Sequence, residues 1–216
     1  MREKSFKKIM VFFLALMLTL SFSITGNVQG VQAASVKTPS LKKAAIVKDG
    51  VKVTWKKVSG ASGYNIYRKD GKGKWKKIDT VKKGTTLSYT DKKVTSGTTY
   101  SYSVSANKGK KSSSYNKKGV SLVYLATPKS VSFTPKTGTA TVKWSKVKGA
   151  KGYQLQYALN KKFKKKKSIQ TKKTKYIIKK LKKKKTYYIR VRAYKMNGKK
   201  KVYGKWSKVK KVKVKK

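Results

Sequence analysis

Cysteine and histidine are absent from this sequence, and its acids number five: Glu3, Asp49, Asp70, Asp79 and Asp91. Without Cys there is no disulfide framework and no thiolate nucleophile, and without His there is no imidazole base or ligand. Chemistry that needs paired carboxylates is nearly excluded. Asp49 adjoins Gly50, Asp70 adjoins Gly71, and Asp79 and Asp91 fall at strand ends, so all four read as turn positions. There is no glycine-rich phosphate loop and no metal-ligand spacing. Ser and Lys are abundant, but nothing marks one Ser above the others as a nucleophile. The expectation is a non-enzymatic chain with no cofactor, no metal and no small-molecule substrate.

Positive charge is what the sequence has in excess: 60 Lys and Arg give a net charge of +55 over 216 residues. High charge with few apolar residues favours disorder. Here 38% of residues are hydrophobic and 11% aromatic, and they recur at strand spacing, so a core can form.

Residues 1–33 differ from the rest. Arg2, Lys4, Lys7 and Lys8 form a basic start, Ile9 to Leu20 is apolar apart from Thr19, and a polar stretch ends at Val31-Gln32-Ala33. This three-part layout reads as a secretory signal peptide cut after Ala33. The competing reading is a membrane anchor, but a spanning helix needs about 20 apolar residues and this run is shorter. No Cys follows the run for lipid attachment, and the C-terminal VKKVKVKK resembles neither a hydrophobic tail nor an LPxTG-like sorting sequence. The expected location is secreted, with cell-surface association through non-covalent contacts. The long leader and the Lys usage point to a bacterium with a single thick-walled envelope.

The remainder is one unit written twice. VKVTWKKVSGASGYNIYR at 51–68 returns as ATVKWSKVKGAKGYQLQY at 140–157, so that Trp55 matches Trp144 and Gly63-Tyr64 matches Gly152-Tyr153 at an offset of 89. Pro39 and Pro128 keep that offset, whereas Val94…Tyr100 matches Leu181…Tyr187 at 87, so two residues are lost between strands. Within each unit the apolar residues alternate: Val51, Val53 and Trp55, then Tyr64 and Ile66, then Tyr100, Tyr102, Val104 and Ala106. In the second unit Val142 and Trp144, then Tyr153, Leu155 and Tyr157, then Tyr187, Ile189, Val191 and Ala193 do the same. Period-two alternation puts one strand face inside and the other in water. With Gly and Ser between the runs and no helical period, the fold class is all-β, a pair of two-sheet sandwiches.

Pro, then a strand ending in Trp, then Gly-Tyr opening the next strand, then Leu/Val-x5-Tyr-x-Φ-x-Val-x-Ala (Φ apolar) resembles the fibronectin type III family, in two copies over 38–216. The resemblance implies an immunoglobulin-like β-sandwich for 34–126 and another for 127–216. It also implies a tyrosine corner at Tyr100 and Tyr187, whose hydroxyls would tie back to nearby backbone. The integrin-binding Arg-Gly-Asp of some members is missing, so no such role carries over. Val120, Leu122 and Tyr124 run directly into Ala126-Thr127-Pro128 with no Gly/Ser linker, which predicts a semi-rigid join.

The two units are unequally charged. Residues 34–126 hold 22 Lys/Arg and four Asp, whereas 127–216 hold 34 Lys/Arg and no acid. AT-rich codons favour Lys but also Glu, Asp and Asn, so codon bias does not account for ninety residues without an acid. Self-repulsion of this size destabilises a compact fold, and a polyanion would relieve it. The alternative is a merely solvated surface. The runs Lys164, Lys165, Lys166, Lys167 and Lys182, Lys183, Lys184, Lys185 fall between strand patterns and are expected in loops, as polyanion-binding residues.

After residue 33 the only Arg residues are Arg68, Arg190 and Arg192, so the surface is nearly pure Lys. That suits diffuse adhesion to anionic cell-wall polymers such as teichoic acid, to acidic polysaccharides or to anionic lipid, with non-specific nucleic-acid binding besides. A second candidate is an aromatic–cationic patch of Tyr188, Arg190, Arg192 and Tyr194, outward on the Tyr187 strand, with Trp206 and Tyr203 beside it. It reads either as a platform for sugars or bases or as an internal cation–π stack; Tyr-Gly-Lys-Trp-Ser at 203–207 resembles half of the Trp-Ser motif of cytokine-receptor modules, which favours the stack. Three functional classes follow: an adhesive scaffold on anionic envelope polymers, an accessory carbohydrate-associated module pair of a secreted polysaccharide-acting system, and an enzyme hidden in the sandwich. The first is preferred.

Overall fold

The computed structural model describes residues 35–216, so the leader read over 1–33 lies outside the described residues. The first sandwich is built from β1 (Leu41–Val47), β2 (Gly50–Trp55), β3 (Gly63–Asp70), β4 (Lys76–Val81), β5 (Ser88–Asp91), β6 (Thr99–Lys108), β7 (Lys111–Ser112) and β8 (Val120–Val123). One sheet has the order β1-β2-β5 and the other β4-β3-β6-β7, with β8 also pairing β6. The second sandwich repeats this with β9 (Ser132–Lys136), β10 (Thr139–Lys143), β11 (Gly152–Ala158), β12 (Lys167–Thr171), β13 (Lys175–Ile178), β14 (Thr186–Asn197), β15 (Lys200–Tyr203) and β16 (Lys210–Lys213). Its sheets are β13-β10-β9 and β12-β11-β14-β15, with β16 pairing the first residues of β14. All pairings are antiparallel.

The alternating residues form the two cores. Val51, Val53, Trp55, Tyr64, Ile66, Tyr100, Tyr102, Val104 and Ala106 are buried together, and Val142, Trp144, Tyr153, Leu155, Tyr157, Tyr187, Ile189, Val191 and Ala193 form the second cluster. Both core tryptophans meet the opening tyrosine of the next strand edge-on, Trp55 to Tyr64 at 5.2 Å and Trp144 to Tyr153 at 5.4 Å between centroids. The tyrosine corners have their hydroxyls tied as the resemblance implied: Tyr100 Oη accepts the Thr95 amide at 2.8 Å and Tyr187 Oη the Lys182 amide at 3.1 Å. A second tied tyrosine, unread from the sequence, occurs in each unit. Tyr64 Oη accepts the Val58 amide at 3.2 Å, and Tyr153 Oη the Val147 amide at 2.8 Å.

Asp91 departs from its expected turn role. It is 1% exposed, and its carboxylate accepts from Arg68 Nη1 at 2.9 Å, Tyr102 Oη at 2.9 Å and the Lys93 amide at 2.9 Å. Burial and the neighbouring carboxylate push the Tyr102 phenol well above its usual range. Burial lowers the Arg68 pKa, but the hydrogen bonds and charges of Asp91 and Asp70 outweigh it and the net shift is upward. The ladder registers place Tyr157, Ile178 and Ile189 of the second sandwich where the first has Arg68, Asp91 and Tyr102. The acid-free unit fills the same position with apolar packing.

At the join, the chain changes cores residue by residue. Val120, Leu122 and Tyr124 pack against the first core, while Val123 and Leu125 belong to the second. Gly97 and Gly149 face each other so closely that a side chain on either would strike the other's backbone. Around them Ser96 Oγ donates to the Lys148 carbonyl at 2.8 Å and accepts the Ala126 amide at 3.0 Å, and Lys195 Nζ donates to the Gly97 carbonyl at 2.7 Å.

Candidate polyanion interface

The two lysine runs lie at the same end of the second sandwich. The loop after β11 leaves beside the start of β14, since Ala158 pairs Tyr188. The loop between β13 and β14 begins at that end too, with the Leu181 amide on the Gly138 carbonyl at 2.9 Å and the Lys184 amide on the Val214 carbonyl at 3.2 Å. Lys164, Lys165 and Lys166 are exposed in the first loop, and Lys182, Lys183, Lys184 and Lys185 in the second. Lys167 is a correction: it opens β12 and pairs with Tyr157, because the last residue of the run is already taken into the ladder.

The first basic loop is held by two residues that the sequence reading missed. Asn160 is the hinge: its Oδ1 accepts the Lys164 amide at 3.0 Å and its Nδ2 donates to the Lys164 carbonyl at 2.9 Å. Phe163 is the anchor, buried although it stands among lysines, with the Arg190 guanidinium 4.1 Å over its ring. A lone aromatic in KKFKKKK was the available signal.

Phe163 is also the first member of a stack along β14. Arg190 lies 4.4 Å from Trp206, Arg192 lies 4.3 Å from the same indole, and Tyr203 closes the series 3.9 Å from Arg192. Gln156 Oε1 accepts from Arg190 Nε at 3.0 Å and Nη2 at 2.7 Å, and Gln154 Oε1 from Arg192 Nε at 2.8 Å. Burial lowers both guanidinium pKa values. Trp206 sits in the break between β15 and β16, and the adjacent Ser207 replaces strand pairing there: its amide donates to the Val191 carbonyl at 2.8 Å and its Oγ accepts the Val191 amide at 3.0 Å. Both faces of each guanidinium in this stack are therefore covered by rings.

The other two patch residues touch neither guanidinium of the stack. Tyr188 is half-buried beside Lys211 and Ala158. Tyr194 is a correction to the outward placement: it is 8% exposed, covered by Tyr203 at 6.0 Å and by Lys201 Nζ at 5.3 Å, because the neighbouring strand β15 folds over it. The first sandwich carries a different aromatic group, with Tyr67 stacked on Tyr115 at 4.4 Å, Trp75 tilted against Tyr115 at 5.8 Å and Lys69 over Trp75 at 5.3 Å.

No curated protein matches this chain. Solved structures that resemble it include the FN1-FN3 domains of chicken CNTN1, at 22% identity and a TM-score of 0.38 over 83% of this chain and 67% of that one. A two-domain fibronectin type III segment of chicken tenascin matches at 18% identity and a TM-score of 0.44, over 82% of this chain and 100% of that one. The family model of the fibronectin type III domain matches residues 126–210. The chain is an all-β protein of two sandwiches in tandem with the same strand order, and the second of them, over 126–210, matches the fibronectin type III domain.

Proposed function

We propose that this is a non-catalytic, secreted binding or scaffold protein that adheres electrostatically to anionic polymers of the cell envelope or its surroundings. The observation that carries this reading is the crowding of two exposed lysine loops at one end of a sandwich that contains no acid. With no Asp or Glu side chain in residues 127–216 to neutralise it, the positive field there is satisfied largely by counterions or by a polyanion. Displacing counterions makes such binding favourable and salt-sensitive. The aromatic–cationic patch supports the same reading by default, because its guanidinium faces are occupied within the fold.

The test is a salt titration of binding to a purified teichoic acid and to DNA. Affinity should fall steeply as the Debye length shrinks from about 10 Å at 0.1 M to about 3 Å at 1 M. Replacing Lys164–Lys166 and Lys182–Lys185 with Ser should weaken binding and leave the module folded. Salt-independent binding would refute the reading. The second reading, an accessory carbohydrate-associated pair, is favoured by the Tyr67, Trp75 and Tyr115 group on the first sandwich. It predicts binding to neutral glycans that Trp75→Ala abolishes.

A further inference from the structure

The two sandwiches differ in one loop in a way that opens a cleft in the second. Between β4 and β5 the first sandwich has Lys82-Lys83-Gly84-Thr85-Thr86-Leu87, whereas between β12 and β13 the second has only Lys172-Lys173-Thr174. The ends of these loops correspond, since the Trp55 amide donates to the Leu87 carbonyl and the Trp144 amide to the Thr174 carbonyl. In the first sandwich the longer loop folds inward. Gly84 approaches the Ala61 carbonyl so closely that any side chain would collide with it, and the Gly84 carbonyl accepts the Tyr64 hydroxyl at 3.2 Å. In the second sandwich the loop is three residues shorter and has no counterpart of Gly84-Thr85-Thr86. The space they would fill is a cleft of about 360 Å³ lined by Lys146, Lys172, Lys173 and Lys175 with Tyr153, Ala150 and Thr174.

Two features of this cleft point to an anion. Four exposed lysines line it, no acidic residue does, and the module has no Asp or Glu to pair with them. Tyr153 is the counterpart of Tyr64 but has lost the acceptor. Among the described residues its hydroxyl accepts the Val147 amide and donates to nothing. A phenol can donate as well as accept, so one proton is free at this site. A phosphate group combines high charge with several strong acceptor oxygens, and Lys binds it as a point charge without demanding a fixed fork geometry. The volume is near the small end of ligand sites, roughly 300–1,000 Å³, and suits one phosphate with its attached polyol or sugar rather than a large apolar ligand.

We infer that this cleft seats a single phosphate group of the bound polymer, held by Lys146, Lys172, Lys173 and Lys175 with a hydrogen bond from Tyr153. The inference rests on the polyanion reading and makes it more specific: the lysine loops at the far end supply diffuse attraction, and the cleft supplies a discrete contact. The first sandwich serves as the internal control, since Lys57, Lys82 and Lys83 occupy corresponding positions around a filled notch.

The test uses the whole chain and inorganic phosphate as the probe, followed by amide NMR shifts at low salt, with poly(glycerol phosphate) binding measured in parallel. Saturable shifts are expected at 146–153 and 172–175 and not at 57–64 or 82–87. Inserting Gly-Thr-Thr between Lys173 and Thr174 rebuilds the first sandwich's loop and removes no charge. It should weaken phosphate binding by at least tenfold and leave the salt dependence of polymer binding nearly unchanged. Should the insertion disturb folding, the paired exposed substitution Lys172→Ser with Lys173→Ser, and Tyr153→Phe, provide the same readout, with the loss expected to be larger for the lysines. Absence of saturable shifts, equal binding by the insertion variant, or tighter binding of sulfate than of phosphate would overturn the phosphate seat while polymer binding persists. Failure of the unaltered chain to bind the polymer at all would instead overturn the polyanion reading beneath it.

Discussion

Asp91→Ile in the first sandwich should be strongly destabilising, and adding Arg68→Tyr and Tyr102→Ile should restore stability. The single change removes an acceptor used by Arg68, Tyr102 and the Lys93 amide. Breaking a buried ion pair by deleting one partner costs about 3–5 kcal/mol, since the other partner stays buried. Arg68 keeps Asp70 at 2.8 Å, but that carboxylate is 54% exposed and offsets little. The triple variant copies the apolar set Tyr157, Ile178 and Ile189 at the corresponding positions of the second sandwich. Apolar replacement of a buried charge cluster is commonly neutral or stabilising. The expected result is therefore a triple variant within about 1 kcal/mol of the original chain or above it. Urea titration followed by amide NMR signals reports each sandwich separately. At an m-value of about 1.5 kcal/mol per molar, the single variant should lower the first sandwich's midpoint by roughly 2–3 M and leave the second unchanged. A neutral single variant, or a triple variant as unstable as the single, would refute the view that the cluster is a closed charge-compensated unit.

Leu125→Ala should cost about 2–5 kcal/mol and lower the unfolding midpoint of the second sandwich more than that of the first, since this side chain is buried in the second core; calorimetry or NMR-detected unfolding checks it. Trp206→Ala should remove contacts to two guanidinium groups and destabilise the second sandwich by about 1–2 kcal/mol, while the salt-dependent affinity for polyanions stays within twofold. The Tyr102 phenol has its pKa raised by folding, so its contribution is complete below the unfolded value near 10 and is lost as pH rises through the folded value. The stability difference between the unaltered chain and Tyr102→Phe should therefore shrink as pH increases above about 10, and an increasing difference would contradict the buried hydrogen bond to Asp91.

The strand pattern was legible because alternation is a local signal: Val51, Val53 and Trp55 declare their face within five residues. The tyrosine corners were legible through the resemblance, and the hydroxyl contacts agree. Asp91 was not legible, because an Asp-Lys pair at a strand end looks like a turn and its partners Arg68 and Tyr102 are remote in sequence. Tyr194 alternates as an outward residue, and only the following strand covers it. Phe163 lies in no alternating pattern, so its only local signal was that it stands alone as an aromatic in a lysine run. The net loss of two residues in the repeat offset was visible, but not that one residue is gained before β12 and three are lost after it, which is where the cleft lies.

The basic loops carry a backbone tension of their own. Lys165, Lys180 and Lys184 adopt φ of 50°, 55° and 60°, the left-handed region in which a β-carbon costs about 1 kcal/mol that glycine avoids. At these three sites charge and conformation pull in opposite directions, so changing the lysine to glycine discards a positive charge and relaxes the chain together. A variant glycine-substituted at all three would be less cationic and no less stable than its parent, and its lowered affinity for a polyanion would report charge alone.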